Sequence, residues 1–514
     1  MRICLVQCPA WGNDTPPLGI ASLSAVLRSD PLKRHDVYAI DFNNEFFRRC
    51  KEKETFDLTN ENFWIDEKKV RKILRENRRL VNDLIEKIMR EDPDVVGFSV
   101  QSSSRICTKI VAEQLKDKAP GLSIILGGCE CRRNHSGLQL ASLDFIDAIF
   151  TGEAEKSILL YLDMISSRRG GERKEDAAQE PIQGIIMRDD AGKILDGGEP
   201  DRIENLDALP FPDFSDFNLL EYNYPNVLPI MSSRGCVNFC FFCTERLLNR
   251  GFRHRSGDRM FEEVMHQMKK HPGVNQFDFH DSLVNGDPVS LGRFAGLVIE
   301  NGLKITWNGQ ATIKKYMTEE YCRKLKMAGC GFLGYGIESG SDKVLKAMNK
   351  PFTPALAAEI LRNTWKTGIG AGANFMFGYP GEGEEEFQET LKFLENNHEF
   401  IECVNPSLGL CGIGEGTILM KTAEERGVDL TNGSMYWQTQ DGKNDFLVRL
   451  ERHKRFCKLA KSLGIRINMN YNSGVYKGLE EAYLSFLEEK GERKGKMSSK
   501  RGLLAFVLSR FSRQ

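Results

Sequence analysis

The chain has 514 residues, enough for roughly two to four domains of ordinary size. Its 71 Lys and Arg balance 72 Asp and Glu, which excludes a large basic nucleic-acid surface as the main design feature. With 41% hydrophobic and 28% charged residues the composition is that of a globular protein, and no run approaches the roughly 18 apolar residues of a membrane span. The opening, Met1–Pro9, is too short an apolar stretch for a signal peptide and reads as a first strand. A soluble, cytoplasmic protein is the expectation.

In chain order, strands are predicted at Arg2–Gln7, Asp36–Asp41, Asp94–Val100, Leu122–Leu126 and Ile146–Phe150. Helices are predicted between them near Leu18–Leu27, Asp66–Arg90, Ser104–Lys118 and Glu155–Ile165. Nearly all-apolar strands alternating with helices mean a parallel sheet covered on both faces, here a Rossmann-like domain over 1–165. Ligands of such sheets bind beyond the carboxyl ends of the strands. Those ends carry Pro9–Gly19, Gln101–Ser104, Gly127–Glu130 and Thr151–Glu153, small and glycine-rich enough to admit a large flat ligand. A connector over 166–225 follows: the charged, apolar-poor Ser166–Glu180, a hairpin at Gly184–Gly198, and an extended Leu209–Phe214 in which each proline disfavours helix before it.

From residue 226 the alternation restarts at a longer period, with strands predicted at Val227–Ser232, Gln276–Asp281, Lys304–Gln310, Gly331–Glu338, Ala371–Tyr379 and Ile401–Leu408. Helices fall between them at Met260–Lys270, Val289–Asn301, Glu319–Ala328 and Ala355–Lys366. Six such units over 226–412 suggest a partial (β/α)6 barrel with its chemistry at the carboxyl rim. Residues 413–514 read as mostly helical, so the fold class is α/β with a helical terminal region.

The chain has 14 cysteines, and without an export signal their thiols should be reduced. Cys4, Cys50, Cys107, Cys322 and Cys457 sit singly in apolar contexts and read as small buried hydrophobes. Cys236, Cys240 and Cys243 differ: three thiolates lie within eight residues, just after a predicted strand. Thiolates suit iron–sulfur clusters, zinc or Cu(I). Structural zinc takes four ligands, and no second short pair or nearby His completes such a set. Three cysteines can hold three irons of a four-iron, four-sulfur (4Fe-4S) cluster and leave one iron open.

The CxxxCxxC spacing, with Phe242 before the last cysteine, resembles the radical S-adenosylmethionine (SAM) superfamily. So do Gly334–Lys350, containing Glu338, and Asn374–Glu382, containing Gly378 and Pro380. The resemblance implies that the open iron binds SAM, that Phe242, Glu338, Gly378 and Pro380 contact it, and that an external electron donor such as flavodoxin or ferredoxin starts the reaction. The product would be a 5′-deoxyadenosyl radical. The front domain is similar to that of the cobalamin-dependent branch, through Pro16–Ile20, Val95–Ser99, Ile124–Gly128 and Gly152–Glu155, and the connector Leu209–Phe214 is similar too. Trp11, Gln101, Ser102, Ser103, Gly127, Gly128, Gly152 and Glu153 are then the expected cobalamin contacts, with Cys129 and Cys131 beside the site. One departure stands out. The loop after the first strand holds no His, so a lower histidine ligand from that loop is not expected. No G-x-G-x-x-G follows the first strand either, so a dinucleotide site is not expected.

Together these cofactors imply a methyltransferase, in which methylcobalamin gives its methyl group to an unactivated carbon after the deoxyadenosyl radical has removed hydrogen. A cyclase or rearranging enzyme using the same cofactors is the alternative, and a non-catalytic corrinoid or cluster sensor a remote one. The substrate would be a small molecule or natural product, not a nucleic acid. Asp281 and Trp307–Gln310 are placed on the barrel rim, as substrate contacts or as caps. Glu415–Thr417, Tyr436, Trp437 and Asp441–Asn444 begin a region expected to close over substrate. Basic residues from Lys494 to Arg513 flank the apolar Leu503–Leu508; a docking or frayed terminus is preferred to membrane contact.

Overall fold

The computed structural model describes residues 1–32, 34–57, 60, 63–169, 180–189, 192–407, 410–469 and 471–490. Most of the charged linker and the whole basic tail from residue 491 lie outside the described residues.

The first sheet runs β1 (Arg2–Gln7), β2 (Asp36–Asp41), β3 (Val95–Ser99), β4 (Ser123–Gly127) and β5 (Ala148–Phe150), all parallel, in the order β2-β1-β3-β4-β5. Alternate side chains of β1 enter different cores: Ile3 and Leu5 face one, Cys4 and Val6 the other, and all are buried. That is why these strands read as unbroken apolar runs. The hairpin assigned to the connector instead continues this sheet. Its strand β6 (Ile185–Arg188) pairs antiparallel with β5, and β7 (Ile194–Asp196) antiparallel with β6. Ile185, Ile186 and Met187 are all buried, a two-faced run with no polar alternation to mark one side as solvent-facing.

The predicted helix Asp66–Arg90 is two helices, Glu67–Glu76 and Arg78–Arg90. Asn77 interrupts them; its side-chain amide donates to Ile73 O at 3.0 Å and to Glu52 at 3.2 Å, competing with the backbone ladder. The connector crosses between the domains and is pinned to both. Asp213 pairs with Arg28 of the front domain at 2.7 Å and with Lys270 of the barrel at 2.6 Å. Phe214, Phe217 and Tyr222 carry one continuous core from the first sheet into the barrel.

The second sheet is β8 (Val227–Ile230), β11 (Gln276–Phe279), β12 (Thr306–Ala311), β13 (Cys330–Glu338), β14 (Gly370–Phe375), β15 (Cys403–Pro406) and β18 (Arg466–Ile467). They are parallel and ordered β18-β15-β14-β13-β12-β11-β8. The arc is thus the six predicted units plus a two-residue seventh strand from the terminal region. A short antiparallel ribbon, β9 (Ser233–Arg234) with β10 (Arg253–His254), flanks the cysteine loop, and another, β16 (Val428–Asp429) with β17 (Gln438–Thr439), lies in the terminal region. Among the described residues no helix is long and apolar enough to cross a membrane.

Candidate active site

The cysteine loop leaves β9 at the barrel rim and returns along β10. Its backbone is tied on several sides. Phe241 N–H donates to Met348 O at 3.0 Å, and Phe241 O accepts from Leu419 N–H at 2.9 Å. The Asn349 amide donates to Phe239 O at 2.8 Å. Asn238 donates to Thr312 Oγ1 at 2.7 Å and accepts from Lys314 Nζ at 3.1 Å. Cys236, Cys240 and Cys243 are all half-buried. Backbone N–H groups of Asn238 and Glu245 point at the sulfurs of Cys236 and Cys243, at 3.4 and 3.5 Å, where they favour the thiolate. Burial works against that charge and pushes Cys240 up to about 11, so metal binding there must displace a proton. Among the described residues no three His, Cys, Asp or Glu side chains converge on a single ion. Three sulfurs each serving a different iron have no need to. The donor set therefore fits a cluster.

Glu338 ends β13 at a register shift, with φ +67°, a left-handed conformation that non-glycine residues seldom adopt. Lys350 holds it there. Its Nζ donates to Glu338 Oε1 at 2.9 Å and to Gly336 O at 3.0 Å, with side-chain exposures of 8% for Lys350 and 14% for Glu338. Burial lowers the ammonium's pKa, but Glu338 and the neighbouring cysteine sulfurs outweigh it and hold Lys350 above its ordinary value. The same Nζ lies 5.6 Å from the Phe242 ring, and Phe242 packs edge-on against Tyr379 at 6.3 Å. Cluster loop, Glu338 and the Gly378 loop thus meet in one place. In the sequence Lys350 closes a motif at a predicted helix end, where nothing signals that it is buried.

Gly378 has φ +75°, and a Cβ there would lie 2.3 Å from Arg449 Cγ. Its N–H donates to the Glu382 carboxylate and its carbonyl accepts from the Asn444 amide at 2.9 Å. Glu382 is fully buried and pairs with Arg452 at 3.1 Å. Gly378 and Pro380 are both buried beneath this terminal-region framework.

Beyond the carboxyl ends of the first sheet lies a cavity of about 520 Å³. The strand order places it at the point where the chain winding reverses between β1 and β3. Its front wall is apolar or small, with Leu5, Ile20, Phe98, Ile125 and Phe150 beside Gly19 and Gly127. Gly19 has nothing within 4 Å of a would-be Cβ, and Gly128 turns away at φ +105° where a Cβ would meet Val100 O at 2.7 Å. The opposite wall is barrel rim: Met231, Ser233, Arg234, Gly235, Glu245 and His280. A flat, largely apolar macrocycle fits this space.

Of the expected cobalamin contacts, Gln101, Gly127, Gly128, Gly152 and Glu153 line the cavity, whereas Trp11, Ser102 and Ser103 do not. Trp11 is 47% exposed in a turn whose N–H donates to Asn43, and Ser103 Oγ donates to Ala10 O at 2.7 Å. Glu153 also clamps the domains together. It pairs with Arg253 and with Arg234 at 3.2 Å, while Arg234 reaches Glu155 as well. Cys129 lines the cavity, donating to Gln101 Oε1; Cys131 is buried.

Two rim candidates prove structural. Trp307 is fully buried with its indole N–H on Ala328 O at 3.0 Å, because it sits near the start of β12 rather than at its rim end. Asp281, 3% exposed, accepts from Ser232 N–H at 3.0 Å, Ser232 Oγ at 2.8 Å and Ser233 Oγ, fixing the chain as it turns into β9. Burial raises its pKa from 3.8 to about 6 despite these donors. The stability tied to this group is full below about pH 4 and is lost as pH rises through 6, by at most about 3 kcal/mol. Asp281→Asn should flatten urea-denaturation stability between pH 4 and 7 relative to wild type; an unaltered profile would remove Asp281 as its source. Trp437, expected over the substrate, is also fully buried, with Nε1 on Cys411 O at 2.8 Å.

Comparison with known proteins agrees with this geometry. The radical SAM superfamily profile matches residues 230–394. An uncharacterized methyltransferase of Pyrococcus horikoshii is 26% identical over 77% of this chain and 78% of its own length. Two solved structures superpose across nearly the whole chain. The cobalamin-dependent SAM radical enzyme OxsB, bound to aqua-cobalamin and SAM, has a TM-score of 0.64 at 17% identity, covering 100% of this chain and 75% of its own. The radical SAM methyltransferase TsrM of Kitasatospora setae, bound to cobalamin and a 4Fe-4S cluster, has a TM-score of 0.62 at 14% identity, covering 95% and 99%. Residues 230–394 thus match the radical SAM superfamily model, and along its length the chain has the fold of OxsB and TsrM.

Proposed function

We propose that the protein is a cobalamin-dependent radical SAM methyltransferase acting on an unactivated carbon of a small molecule. One observation carries the reading: a single cavity is walled on one side by the strand ends of the front sheet and on the other by the rim that bears the cysteine loop. When bound, the cluster and SAM supply a radical that removes a hydrogen atom, and cobalamin supplies the methyl group that replaces it.

In this reading Cys236, Cys240 and Cys243 hold the cluster. Glu338, held in place by Lys350, presents its carboxylate to SAM. The Gly378–Pro380 backbone and Phe242 form the wall beside it, braced by Asn444, Arg449 and Tyr379. Gln101, Gly127, Gly128, Gly152 and Glu153 receive the corrin on the apolar side. Closure of the two walls around one space keeps water from a carbon radical. The electron comes from an external donor such as a flavodoxin or ferredoxin.

Anaerobic reconstitution with iron, sulfide and hydroxocobalamin, followed by reduction with SAM, tests the reading. Release of 5′-deoxyadenosine together with S-adenosylhomocysteine supports methyl transfer. Deoxyadenosine with substrate turnover but no S-adenosylhomocysteine would establish a cyclase or rearranging enzyme instead, and neither product would overturn the proposal.

A further inference from the structure

A second cleft, of about 290 Å³, adjoins the cobalamin cavity and shares Arg132, Thr151, Gly152, Glu153 and Leu248 with it, so the two are continuous. Four other stretches complete its wall: Arg133 after β4, the connector at 199–202, residues of 247–253 just past the cysteine loop, and Glu415, Gly416 and Lys421 of the terminal region. It therefore joins the front domain, the connector, the stretch after the cysteine loop and the terminal region.

Its charge is uneven. Six cationic side chains line it against the acids Glu153, Glu199, Asp201 and Glu415. Most of these charges are already spent. Arg253 is bound to Glu153, Arg250 to Glu199, Arg133 to Asp196 at 2.8 Å and Arg202 to Glu204 at 3.2 Å. Glu415 is engaged too, and Asp201 is exposed at the cleft's edge. Two cations remain. Among the described residues half-buried Arg132 donates only to Cys129 O, at 3.3 Å, and Lys421 has no ion pair.

A planar guanidinium and an ammonium with no ion pair among the described residues, lining one cleft, are a donor set for an oxyanion, bidentate from the arginine and as a point charge from the lysine. We propose that this cleft holds a phosphoryl group of the substrate, gripped by Arg132 and Lys421, so that the substrate is a phosphorylated small molecule whose reacting carbon extends into the neighbouring cavity. Binding at a point remote from the reacting carbon is an effective way to fix that carbon's position. The inference rests on the adjoining cavity being the cobalamin site. The corrinoid's own phosphodiester offers the same chemistry, so the test must separate the two.

Inorganic pyrophosphate is the probe, titrated calorimetrically into the reconstituted protein with and without hydroxocobalamin. Absorption spectra first establish whether cobalamin binds at all, so failure of the underlying reading is seen separately. The expected result is one pyrophosphate per cobalamin-loaded protein, with affinity lowered at least tenfold by Lys421→Gln and by Arg132→Gln. Lys421 is exposed, so its replacement has no packing to disturb. No binding, or binding indifferent to both substitutions, overturns the proposal. Binding only to the cobalamin-free protein also overturns it, by giving the cleft to the corrinoid's phosphate.

Discussion

Replacing Cys240 with alanine abolishes reductive cleavage of SAM while leaving cobalamin on the protein. The first half follows from the ligand count: two sulfurs cannot hold a cubane that three hold with one iron open. The second half follows from where the loop is anchored. Phe239, Phe241 and Asn238 are tied through backbone and amide contacts that do not involve the Cys240 sulfur. None of the three cysteines lines the cobalamin cavity, whose rim wall uses Gly235 and Glu245 on either side of them. Iron content, 5′-deoxyadenosine yield and cobalamin stoichiometry measured on one preparation check this. Deoxyadenosine at the wild-type rate from the variant would show that the cluster lies elsewhere.

Lys350→Met costs the apo-protein about 3–5 kcal/mol, because it strands the Glu338 carboxylate in a site only 14% exposed. Removing both charges is far milder. The double variant Lys350→Met, Glu338→Gln should recover most of the loss, since the penalty belongs to the unpaired ion more than to the missing bond. Urea denaturation of the wild type, the single variant and the double variant measures the cycle. A single variant as stable as wild type would mean that water already compensates Glu338. In the reconstituted enzyme the single variant should also weaken SAM binding, as the carboxylate loses the group that fixes its unusual backbone position.

Much of this was legible in the sequence, for identifiable reasons. β1 and β2 begin and end where their apolar runs do, and the cysteine spacing carried its chemistry without a structure. Other features depended on distant partners. The hairpin β6–β7 looked like an independent connector because nothing local reveals that β5 is an open edge awaiting it. Asp281 looked like a rim carboxylate because sequence cannot show two serines of another strand end turning to face it. Trp307 lies near the start of its strand, not on the rim, because the strand starts at Thr306 rather than at the predicted Lys304. Lys350 and Arg234 act by burial and ion pairing across long sequence separations, which charge and periodicity do not encode.

The strand β18 has a wider consequence. The same terminal stretch that supplies the barrel's last strand also supplies Asn444, Arg449 and Arg452 around the Gly378 loop. It is barrel wall and loop support at once, so it cannot be traded as a cassette between relatives without dismantling the Gly378 loop. New substrate preferences in this lineage should therefore arise by point substitution within an unbroken chain rather than by recombination at the end of the barrel.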